Sequence, residues 1–183
     1  MKILKWVLIV LGILAAVLFV AFKVLQTQTK KASPEQTVNF EQGDAKMEVF
    51  YNRPYKKGRD VFGDLLPYGK VWRTGANEPT TFTTSTDLTI DGKTLAAGKY
   101  TLWTIPNETS WTVIFNSKMY GWGVNFSGEA SRDPAADALQ LEVPVETLPQ
   151  TVEQFTIAFE QGENVNMTMI WDDTRIVVPF SVQ

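Results

Sequence analysis

The chain has 183 residues, 44% of them hydrophobic and 20% charged, which suits one globular domain plus an appendage. It contains no cysteine and no histidine, which excludes disulfides, thiolate nucleophiles, Ser-His-Asp arrangements and every zinc site built on sulfur or imidazole. Five of the 17 basic residues (Lys2, Lys5, Lys23, Lys30, Lys31) precede Pro34 and all 20 acidic residues follow it, so the remainder carries a net charge of −8 and lacks the basic footprint of a nucleic-acid binder.

Trp6 to Phe22 is free of charge, and Ile3 to Leu25 is interrupted only by Lys5 and Lys23. As helix these stretches reach roughly 26 to 35 Å, about the thickness of a bilayer's hydrocarbon core. The flanking lysines can snorkel and Trp6 is placed for the interfacial belt. Residues 1–25 therefore read as a single-pass transmembrane signal anchor. A cleaved signal peptide would have a shorter apolar region and a small-residue cleavage site. The lysines on the two sides nearly balance, so charge does not orient the span. A very short tail before it, with all the folded mass behind, places the domain on the extracytoplasmic, periplasmic side. Gln26 to Gln36 is polar, carries Ser33-Pro34, and reads as a flexible tether.

From residue 37 to 183 the period is two. Lys46 to Tyr51 and Thr80 to Thr86 are strand-like, and Leu88-Thr89-Ile90 meets the hairpin signal Asp91-Gly92-Lys93. Lys99 to Ile105 and Ser110 to Phe115 flank the turn at Pro106-Asn107-Glu108, apolar on both faces around Tyr100, Leu102, Trp103 and Ile105, as a central hairpin would be. Asp133 to Leu139, with Pro134 at a helix start, is the one candidate helical turn. Leu139 to Val145, Phe155 to Phe159, Val165 to Trp171 and Ile176 to Val182 alternate apolar with polar, and Pro144 and Pro179 mark a sheet edge or a bulge. Nine or ten short strands with almost no helical pattern predict an all-β antiparallel sandwich, with barrel-like closure as the alternative.

Tyr68-Gly69-Lys70-Val71-Trp72-Arg73-Thr74-Gly75-Ala76-Asn77-Glu78 fits neither period and reads as an ordered loop. Arg53, Arg59 and Arg73 fall within 21 residues and could together grip an anionic ligand through paired guanidinium hydrogen bonds. The alternative is internal: Arg73 pairs with Glu78 or Asp64 and holds the loop onto the sheet. Trp103 and Trp111, on strands, read as core; Trp72 and Trp122, in loops, suit either core or a stacking platform for a sugar ring. The residues expected to bind ligand are Arg53, Arg59, Trp72, Arg73, Asn77, Glu78, Asn116 and Trp122. The candidates for catalysis are Glu78, Asp60 and Asp64, as a carboxylate pair across a cleft, with Tyr68 as proton donor. No cofactor and no metal site is expected.

Tyr51-Asn52-Arg53-Pro54, Lys57 to Gly63 and Leu66 to Glu78, then Leu95 to Leu102, Thr104-Ile105-Pro106, Trp111 to Asn116 and Trp122-Gly123, are similar to the domain of unknown function 2911 family. The resemblance covers most of Tyr51 to Gly123, in one order, with weaker similarity to the C-terminus. It implies a bacterial, Bacteroidetes-type protein carrying an export signal, and it implies no activity, cofactor or catalytic residue. The chain departs from the family pattern in Asn52, where Ser is frequent, and Pro79, where Ala is frequent. The reading is a membrane-anchored binding module for envelope glycan or a protein partner; the alternatives are a carboxylate-dependent glycan hydrolase and a purely structural domain.

Overall fold

The computed structural model describes residues 2–125, 127–162 and 164–182, in two compact units that divide after Ala32. The first is helix α1, Lys2–Ala32. Within it Ile3–Ala32 contains an 18-residue window of mean hydropathy 2.9, and the helix is long and apolar enough to cross a membrane. Residues 26–32, expected in a flexible tether, continue the helix, and residues 35–36 open the first strand. Gln, Thr and Lys are tolerable helix formers, and neither Gly nor Pro interrupts them before Pro34.

The second unit, Ser33–Gln183, is all-β. Its strands are β1 (Glu35–Gln42), β2 (Ala45–Asn52), β3 (Thr81–Thr84), β4 (Leu88–Ile90), β5 (Lys93–Leu95), β6 (Gly98–Pro106), β7 (Ser110–Asn116), β8 (Asp137–Gln161) and β9 (Val165–Val182). They pair antiparallel in the order β1-β2-β3-β6-β7-β8-β9-β4-β5. The sheet turns over on itself, because the ring of Tyr51 on β2 meets Phe155 on β8 at 5.7 Å and that of Phe82 on β3 meets Phe180 on β9 at 5.4 Å. One apolar core fills the space between the two layers.

Two pairs of expected strands are continuous. β8 joins the Leu139 and Phe155 stretches, and β9 joins the Val165 and Ile176 stretches. β8 pairs with β7 as far as Pro144 and with β9 from Val145, so it serves both layers. Pro144 stands at that change of partner. Pro179 lies between the part of β9 that pairs with β8 and the part that pairs with β4. A residue without an N–H is tolerated where a ladder is being handed over. The 3-10 turn falls at Pro134–Ala136, with the Asp133 side chain accepting from the Ala135 N–H.

The connection from β2 to β3, residues 53–80, crosses one end of the sandwich and is tied to both layers. Tyr55 bridges to Gln154 on β8, where the β8–β9 ladder is interrupted between Val152 and Thr156. Trp72 bridges to Thr104 on β6, beyond the point where β3 leaves it. Phe62 and Trp72 plug the end of the core between these ties: Phe62 lies 5.1 Å from Trp111, and Trp72 lies 4.9 Å from Phe155 and 6.1 Å from Trp111.

Candidate functional site

Strand-like alternation at Trp72 and Arg73 sends the two side chains to opposite faces of the sheet. Trp72 points into the core, and its indole N–H donates to the Gly75 carbonyl at 2.8 Å. It is therefore a core residue, and the expectation that it meets ligand is corrected. The chain then turns sharply. Thr74 and Asn77 both have positive φ, at 54° and 58°. Thr80 closes the turn, its N–H donating to the Arg73 carbonyl at 3.1 Å and its hydroxyl to the Thr74 carbonyl at 2.6 Å. Gly75 has no room for a side chain, since a Cβ there would stand 3.0 Å from the Asn52 carbonyl.

Inside the turn lies a polar network that centres on Asn52, a residue absent from the expected site. The Asn52 amide donates to a Glu78 carboxylate oxygen at 3.1 Å and accepts from Asn77 Nδ2 at 3.2 Å. Asn52 and Asn77 are both buried. Asn77 thus serves the fold rather than a ligand, which corrects its expected role. Glu78 is half-buried in the same network. The signal was present in the sequence, in the position of Asn52 within the motif, but its pairing with a residue 25 positions on is set by tertiary contact.

The three arginines are not gathered into one grip. Arg53 fastens the loop to β8, with Nε donating to the Phe155 carbonyl at 3.1 Å and a terminal nitrogen to Thr156 Oγ1 at 2.8 Å. Arg59 is exposed and folds back on its own turn, donating to the Lys56 and Tyr55 carbonyls. Arg73 lies on the outer face and donates to the Trp122 carbonyl at 3.1 Å. Its expected ion pair with Glu78 or Asp64 is not formed: among the described residues no carboxylate oxygen comes within 4.0 Å of it. Burial lowers the pKa of the Arg73 guanidinium, with the Glu78 charge opposing the shift.

The outer face of β6 and β7 is covered by the connection 117–136. Trp103 is fully buried beneath it, 5.3 Å from the ring of Tyr120 at an angle of 89°, with its indole N–H on Thr101 Oγ1 at 3.0 Å. Asn116 is the hub that holds this connection down. Its Nδ2 donates to the Asp133 carbonyl and to Asp137 Oδ1, both at 2.8 Å, while its Oδ1 accepts from the Lys118 N–H and the Tyr120 hydroxyl, both at 3.0 Å. All four positions of the amide are used, and the residue is buried, so Asn116 is not available to a ligand. Asp137 also takes an ion pair from Arg132. The bulge that brings Asp137 rather than Ala138 opposite Asn116 has no signature in the sequence.

Among the described residues Trp122 makes no contact with another aromatic ring. It sits between Gly121 and Gly123 with 38% of its surface exposed. Gly123 has φ 78°, and a Cβ there would come within 2.5 Å of Pro79 Cγ and 3.4 Å of Arg73 Cδ. The backbone of 122–123 therefore rests directly on Arg73 and Pro79. The indole is thus carried, partly exposed, on a supported backbone.

The carboxylates proposed for catalysis belong to different surroundings. Glu78 is tied to Asn52, whereas Asp60 and Asp64 are exposed side chains of the turn 60–66, with Asp60 in the field of Lys56. Lys56 itself is ion-paired with Asp172. Tyr68 is 39% exposed, its ring against Gly63. Partial burial, then the charges of Glu108 and Asp173, raise its pKa above the ordinary tyrosine value, which makes it a weaker proton donor at neutral pH. Among the described residues there is no cluster of three acidic side chains suited to a metal ion.

No curated protein and no solved structure gives a significant match to the chain. A family model described as "Protein of unknown function (DUF2911)" matches residues 33–180, which spans the whole β-unit from β1 almost to the end of β9. The chain belongs to this family.

Proposed function

We propose that this protein is a membrane-anchored, extracytoplasmic module that binds envelope glycan through the exposed edge formed by Trp122 and Arg73. The observation that carries the reading is the contrast among the indoles of the β-unit. Trp72, Trp103, Trp111 and Trp171 are buried, while Trp122 alone among them presents its ring to solvent, on a backbone fixed against Arg73 and Pro79. An indole face is a stacking surface for the C–H face of a sugar ring, and fixing it beforehand lowers the ordering cost of binding. The 53–80 loop then supports the site through Trp72 and Asn52 instead of meeting ligand along its length.

Helix α1 supplies the anchor in this reading, and the net −8 of the chain beyond Pro34 keeps the module soluble beside it. The test is retention of the full chain, reconstituted in nanodiscs, on isolated envelope polysaccharide. Retention that is lost in Trp122→Ala and kept in Arg59→Gln supports the reading. Equal retention of wild type and Trp122→Ala contradicts it. A reporter fused after Gln183 that is active only in the cytoplasm contradicts the orientation.

A further inference from the structure

Arg73 is an incompletely compensated cation. Its side chain is half-buried between the 73–80 turn and the 122–123 backbone, in contact with Trp122 and Gly123. Among the described residues its side chain donates to the neutral Trp122 carbonyl and no carboxylate is within ion-pair distance. The other arginines differ. Arg132 and Arg175 are ion-paired with Asp137 and with Glu146 and Glu160, while Arg53 and Arg59 each place two nitrogens on fold oxygens. The Glu78 charge offsets the desolvation of the guanidinium only in part, and a carboxylate delivered by a ligand would offset the rest through two parallel N–H···O bonds.

The position of that cation defines the ligand further. It is hydrogen-bonded to the main chain of the residue that carries the exposed indole, so the two groups lie within the reach of one short saccharide. A sugar ring bearing an equatorial carboxylate at one end offers both features, a C–H face for the indole and a planar anion for the arginine. A peptide carboxylate offers only the second. Resting on the glycan-binding reading above, we infer that the Trp122–Arg73 edge selects acidic saccharides, with Trp122 stacking on a uronate ring and Arg73 taking its carboxylate.

Tetragalacturonate and its methyl ester are the probes, since esterification removes the charge and leaves the sugar faces unchanged. Both are titrated against the full chain in nanodiscs of uncharged lipid. The acid is expected to bind about tenfold or more tightly than the ester, the worth of a hydrogen-bonded charge pair. Arg73→Lys, which keeps the charge but loses the planar fork, is expected to weaken the acid and leave the ester unchanged; Trp122→Ala weakens both. If Arg73→Lys loosens the fold, the salt dependence of the wild type decides: acid binding should weaken from about 0.05 to about 0.5 M salt, because the Debye length shortens, and ester binding should not. Equal affinity for acid and ester overturns the carboxylate inference and leaves the glycan reading standing. Failure of both probes to bind, with envelope polysaccharide still retained, overturns this inference alone; failure of polysaccharide as well overturns both. Competition by tetraglutamate at the affinity of the tetragalacturonate overturns the assignment to a sugar.

Discussion

The indole of Trp72 stacks on that of Trp171, with ring centres 6.0 Å apart and planes 22° from parallel. One ring comes from the 53–80 loop and the other from β9, in the opposite layer, so the contact closes the end of the sandwich with a residue that belongs to no strand. Trp72→Ala removes this plug together with the edge contacts to Trp111 and Phe155. The expected loss is about 3–5 kcal/mol, seen in denaturant unfolding of the full chain in detergent. Trp122→Ala, by contrast, is expected to change stability by less than about 0.5 kcal/mol. A Trp72 variant as stable as the wild type would show that the loop does not seal the core.

Gly123 and Pro79 form a second contact that sequence substitution can probe. Gly123→Ala brings a Cβ to 2.5 Å from Pro79 Cγ and also requires φ near 78°. The expected cost is about 1–3 kcal/mol. In the Pro79→Ala background the steric part is relieved and the backbone part, about 1 kcal/mol, remains. A double-mutant cycle of thermal unfolding measures the difference. Strict additivity would mean that the 122–123 backbone does not rest on Pro79.

Asn116→Ala leaves the Asp137 carboxylate, the Asp133 carbonyl and the Tyr120 hydroxyl without their common partner. A loss of about 2–3 kcal/mol follows from the buried groups left unsatisfied. The loss is local first. Hydrogen exchange should quicken at Lys118, Ser131 and Asp133, whose amides are held by this connection, while the β6–β7 ladder keeps its protection. Uniform quickening across the β-unit would contradict a hub confined to the 117–136 cover.

Acid should loosen the same cover. The Ala135 N–H, and then Lys118, hold the Asp133 carboxyl below its ordinary value of about 3.9. A depressed folded pKa contributes stability that is fully present above the unfolded value and is lost as pH falls through the folded one. The 3-10 turn at Pro134–Ala136 is therefore expected to be intact at neutral pH and to open below about pH 4, faster in wild type than in Asp133→Asn, which no longer titrates. Identical acid profiles for the two proteins, read from exchange at Ala135 and Ala136, would contradict this.

Much of the sandwich was legible in the chain because a half-buried strand writes its burial as alternation. Leu139, Leu141 and Val143 are buried and their neighbours exposed, and the Asp91-Gly92 turn joins β4 to β5. Continuity was less legible. β8 changes partner at Pro144 without leaving the strand, and the polar run after Val145 resembles a break when read locally. The site was least legible. Trp72 lacks any periodic context yet is buried, because what covers it are rings from β7, β8 and β9. Asn116 and Asn77 looked like ligand groups because exposed amides and saturated amides are written identically in sequence. Only the partners tell them apart. Trp122 was recognisable from its flanking glycines, and its partner Arg73 from the motif, but their meeting across 49 positions was not.

The most direct measurement uses the chain labelled with 5-fluorotryptophan, whose six tryptophans give separate fluorine resonances, with that of Trp122 assigned from Trp122→Phe. Titration with tetragalacturonate is expected to shift the Trp122 resonance and leave those of Trp72, Trp111 and Trp171 in place, since those rings are buried in the core. A titration that moves the core resonances, or that saturates without moving Trp122, would place the binding surface elsewhere and contradict the account.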